Sequence, residues 1–107
     1  MKNLMLATTA AALLAACAQR PDAIAPADMP DRMYSDTSCA AARGEFVQVS
    51  DRLAALEAQQ NSAATGDAIG VFLIGIPTSS LTGGDKAGQI AVEKGKKIAL
   101  EARLRGC

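Results

Sequence analysis

Three cysteines are the reactive side chains of this 107-residue chain, which has no histidine. Lys2 opens the chain, Leu4 to Leu14 is almost wholly apolar, and Leu14-Ala15-Ala16-Cys17 closes that run. A basic start, an apolar stretch of about a dozen residues and a small-residue cut site make a secretory signal. A thiol at the cut point is the acceptor of a diacylglycerol before cleavage. The run is too short for a membrane-spanning helix, which needs about 20 apolar residues. Export places Cys39 and Cys107 in an oxidising compartment, where the one remaining pair reads as a disulfide.

No other constellation amounts to a reaction. Without histidine, neither a His–Ser nor a His–Cys pair for acyl transfer can form. A metal site lacks its commonest donor, and both exported thiols are committed to each other. Glu45, Asp51 and Glu57 fall on one polar helical face, where solvation is expected rather than paired-carboxylate chemistry. Thr82-Gly83-Gly84-Asp85 lacks the Lys-Ser/Thr that follows a phosphate loop, and Lys94-Gly95-Lys96-Lys97 reads as solvated surface between Glu93 and Glu101. Eleven Lys and Arg balance eleven Asp and Glu, which argues against nucleic acid as a partner. The expectation is a protein that is not an enzyme, with no metal and no cofactor.

The elements that position these thiols follow from hydrophobic spacing. Cys39, Ala42, Phe46, Val49, Leu53, Leu56, Gln60 and Ala63 recur at alternating threes and fours, a heptad-like helical stripe over 39–64 with Ser38 as its N-cap. A second helix is predicted from Asp85 to Arg105, with a small-residue face of Ala87, Ala91, Gly95, Ile98 and Ala102 that would admit another helix closely. Glu93 with Lys97, and Glu101 with Arg105, form i,i+4 pairs. At 1.5 Å per residue the two helices match in length, so folding them antiparallel brings Cys39 and Cys107 together. The fold class expected is all-α: an antiparallel, coiled-coil-like two-helix hairpin closed by one disulfide.

Three segments result: a signal peptide at 1–16, a lipidated flexible tether at 17–37, and the hairpin at 38–107 with an apolar tip at 66–82. Pro21, Pro26 and Pro30 break any helix in the tether, and Asp22, Asp28, Asp31 and Arg32 keep it solvated. In the tip, Ile69, Val71, Phe72, Leu73, Ile74 and Ile76 form an uncharged run, with Asp67 marking its boundary. Three readings stay open for these residues. The first helix could continue to Ile76 and pack its tip, the patch could dock a partner or a second copy, or it could enter a membrane shallowly. An extended tether puts acyl chain and tip at opposite ends of the rod.

With the lipobox Leu14–Cys17, Tyr34 shortly before Cys39, the apolar middle Asp67–Pro77, the pair Lys94-Gly95 and the C-terminal Cys107 in view, the chain resembles a group of small bacterial envelope lipoproteins. Ala18, rather than aspartate, follows the acylated position, which by resemblance to bacterial lipoproteins implies the outer membrane, facing the periplasm. The resemblance implies a location and a hairpin shape, and no reaction. The function expected is a non-catalytic, lipid-anchored accessory module meeting an envelope partner or its own copies. The alternative is a membrane-active protein that inserts the apolar tip.

Overall fold

A computed structural model describes residues 18–74 and 84–107. Two helices dominate them: α1, Cys39–Ile74, and α2, Ala87–Leu104. At 1.5 Å per residue α1 is about 54 Å long. The helices pack against each other along their length, and among the described residues there is no strand.

The start of α1 is capped as its sequence demands. The Ser38 hydroxyl accepts from the Ala41 N–H at 3.1 Å, and the Ser38 carbonyl accepts from Ala42 at 2.8 Å. The stripe faces inward, with Ala42, Val49, Leu53 and Gln60 buried and Phe46 and Leu56 partly so. Beyond Gln60 the buried side moves to Ala64 and Asp67, continuing the alternation of four and three. Helix α1 therefore runs well past residue 64, to Ile74, which is the reading in which the first helix continues into the tip.

Helix α2 begins two residues later than expected. Asp85 still serves its start, its Oδ1 accepting from the Ala87 N–H at 2.9 Å. Its buried side is Ile90, Glu93, Gly95 and Leu100, while Ile98 and Ala102 are exposed. Glu93 does not pair with Lys97. It meets Lys96 at 3.3 Å and reaches across to Arg52 at 3.4 Å, whereas Lys97 lies 5.7 Å from the centre of the Phe46 ring. Its partners are thus one i,i+3 neighbour on α2 and one side chain of α1. Cys39 and Cys107 are bonded, Cα atoms 5.9 Å apart, at the ends of helices that leave and return.

The tether is the largest departure from expectation. Residues 18–38 are not a free spacer but a strap that runs back along the hairpin from the far reach of α1 to Cys39. A short 3-10 turn at Pro21–Ala23 starts it. Ile24 is buried with Leu53 and Ile90, backed by Leu56, Ala87 and Ala91. Tyr34 packs on Ala42, Val49 and Leu100 beside Phe46 and Leu104. Each of the two small cores thus draws on strap, α1 and α2 together. Full burial of one such aliphatic side chain contributes about 1.5–3 kcal/mol, a large share of what so small a domain can hold. Asp22, Asp28, Asp31 and Arg32 remain exposed as expected, because only the other side of the strap is docked.

Candidate functional site

The strap is held by groups that sequence patterning assigns to other tasks. The Lys94 ammonium donates to the Pro21 carbonyl and, at 2.8 Å, to the Ile24 carbonyl. Three residues along the strap, the Ala27 N–H donates to the Ala91 carbonyl at 2.8 Å. Gly95 leaves room for this approach, since a Cβ there would collide with the Ala27 carbonyl and sit 2.9 Å from Met29 Cε. The small-residue face of α2 therefore receives an extended chain rather than a helix. An extended backbone brings its own carbonyls close, which even an alanine would obstruct. At the strap's end, Arg103 Nε donates to the Thr37 carbonyl at 2.9 Å.

Gln60 is the polar centre of the closed end. Its side chain has 0% exposure, and its amide nitrogen donates to the Gln19 carbonyl at 2.8 Å and to Asp85 Oδ1 at 3.0 Å. Its amide oxygen accepts from the Lys86 N–H at 2.6 Å. One side chain thereby ties the strap, α1 and the start of α2, and satisfies main-chain groups that burial would otherwise leave unpaired. Arg20 adds hydrogen bonds at 3.1 Å to the Asn61 carbonyl and to Thr65 Oγ1.

Asp67 is no boundary marker. It is fully buried, and its Oδ2 accepts from the Ala18 N–H at 2.7 Å. Ala18 is itself buried. A carboxylate inside the molecule demands strong donors, and a main-chain N–H is one of them. The consequence concerns Cys17, the expected acyl acceptor, which lies outside the described residues but is joined to Ala18 by one peptide bond. Ala18 therefore lies against α1 at Asp67, where the expected tether would extend away from the hairpin. The reason is that the strap folds back.

Of the expected tip residues, Ile69 and Leu73 are 53% and 69% exposed, one turn apart on α1, while Val47 and Ile98 are exposed toward the disulfide end. Val71, Phe72 and Ile74 belong to the last turns of α1, and Ile76 lies outside the described residues. Cys39 and Cys107 close the other end. Gln60, Asp67 and Lys94 were not legible as strap anchors, although Gly95 signals close approach because glycine is costly inside a helix.

A concavity of ≈ 640 Å³ lies between the helices and is lined in part by Arg52, Leu56, Gln59, Gly88, Val92 and Glu93. It contains no nucleophile beside a base. Among the described residues no group of three or more His, Cys, Asp or Glu could hold a metal ion, and no helix is long and apolar enough to cross a membrane. Compared with known families, curated proteins and solved structures, the chain matches none of them.

Proposed function

We propose that the protein is a non-catalytic lipoprotein of the bacterial envelope, acylated on Cys17, held at the outer membrane on its periplasmic face, and serving as a structural or accessory module. The observation that carries this reading is the signal-like run ending in Leu14-Ala15-Ala16-Cys17 directly before a buried Ala18. The domain so attached is a disulfide-closed rod without clustered reactive groups among its described residues. Its partner is an envelope protein or a second copy of the chain. The exposure of Ile69 and Leu73 favours a second reading, a membrane-active protein whose apolar end enters a bilayer.

Two experiments test the first reading. Cells fed a clickable fatty acid should label the natural chain and not a Cys17→Ala variant, and the labelled protein should fractionate with the outer membrane. A photoreactive residue at Val92, in the open groove, should capture an envelope protein or a second copy in living cells. A chain that keeps residues 1–16 and carries no acyl group contradicts the reading.

A further inference from the structure

We propose that the closed end of the hairpin rests on the same phospholipid bilayer that takes the acyl chains of Cys17, with Ile69 and Leu73 entering its interface. The proposal rests on the lipoprotein reading above and adds how the rod stands. The Asp67–Ala18 hydrogen bond fixes the residue next to the lipid against α1. Ile69 and Leu73 follow Asp67 by two and six residues, a rise of about 3 and 9 Å along the helix. A molecule drawn to the membrane by chains on Cys17 thus brings these two side chains to the surface with them. No partner protein is needed to cover them.

Charge along the rod agrees. From Ala58 to Ile74, α1 holds one ionisable residue, Asp67, and that one is buried. The opposite half carries Arg43, Glu45, Asp51, Arg52 and Glu57 on α1, and Lys94, Lys96, Lys97, Glu101 and Arg103 on α2. This stretch of α1 costs little when headgroup water is removed, exposed Arg20 and Asp85 beside it stay at headgroup level, and the charged half belongs in the aqueous phase. Because no helix of the described residues is long and apolar enough to cross a membrane, the contact is interfacial. The outcome is a rod standing on its closed end, with its disulfide end and its open groove directed away from the lipid.

The chain has no tryptophan, so single Leu73→Trp and Val47→Trp variants report from the two ends, both replacing exposed side chains. The acylated full-length protein is placed in vesicles of phosphatidylethanolamine and phosphatidylglycerol, with and without brominated acyl chains, and mass spectrometry reads the acyl mass on Cys17. At an expected depth of about 5–10 Å, Leu73→Trp emission should shift to the blue and fall by roughly half or more with bromolipid. Val47→Trp should do neither. Acylated protein in which Leu73→Trp is unquenched overturns the proposal alone. A blue shift without quenching overturns it in favour of a protein or second copy on that end. Equal quenching at both positions overturns it in favour of a rod lying flat. A preparation lacking acyl mass overturns the anchor reading and this proposal together.

Discussion

At the disulfide end, Ala42, Val49 and Leu100 pack beneath Tyr34 and Phe46 while Cys39–Cys107 joins the helices. At the closed end, Gln60 and Asp67 are buried instead and hold main-chain groups of Gln19, Lys86 and Ala18. Apolar packing tolerates small slips in register, because contact is non-directional. Hydrogen bonds to particular backbone atoms do not. The comparison teaches that the covalent end supplies stability and the polar end supplies position, fixing which strap residue lies at which helix turn.

That division can be broken from either side. Replacing Cys39→Ser together with Cys107→Ser should have the largest effect, lowering unfolding free energy in urea by about 4 kcal/mol on the chain-entropy account. Hydrogen exchange should quicken first around Ala42 and Leu100, with Ala18 still protected. Gln60→Ala should cost about 3 kcal/mol, since the Gln19 carbonyl and the Lys86 N–H both lose their partner inside the molecule. Here exchange should quicken at Lys86 and Ala18 while the disulfide end holds.

Gly95→Leu sharpens the comparison by attacking the strap between the two ends. Its side chain would occupy the space of the Ala27 carbonyl and Met29, at a cost of about 2 kcal/mol. Limited proteolysis should then cut within residues 24–36, while far-UV circular dichroism retains its helical signal. The smallest effect concerns pH. Burial raises the Tyr34 phenol above its ordinary value of 10.0, with the Glu45 carboxylate adding to the rise. Below that value both folded and unfolded chains hold the proton, so stability is unaffected. Above it the unfolded chain ionises first, and stability should fall as pH rises further, read from thermal melts between neutral and strongly alkaline buffer.

The hairpin was legible because its information is periodic. The stripe from Cys39 to Gln60 and the placement of Cys39 and Cys107 follow directly from helical geometry. The strap was not, because it carries two large apolar anchors, Ile24 and Tyr34, without period, and its proline content reads as a spacer. Many of its other bonds run from main-chain atoms to side chains far along the sequence, such as Pro21 to Lys94 and Ala18 to Asp67. Backbone acceptors carry no residue signature, so a docked strap and a free tether look alike in composition. The same blindness turned Asp67 into a boundary and Lys94 into solvated surface. Of the expected site, the disulfide was fully readable, and the exposed Ile69 and Leu73 were readable as residues but not in their nearness to the strap's Ala18.

The account depends on the strap lying on the hairpin with its first residue at Asp67. Amide hydrogen exchange at Ala18 and Ala27 tests this most directly, measured by NMR on protein carrying Cys17→Ser so that the proposed acylation cannot occur. Both amides should exchange roughly a hundredfold or more slower than an unstructured chain, and Asp67→Ala should release Ala18 while leaving Ala27 protected. Exchange at the unstructured rate at both positions in the parent protein would contradict the account, leaving a free tether in place of the docked strap.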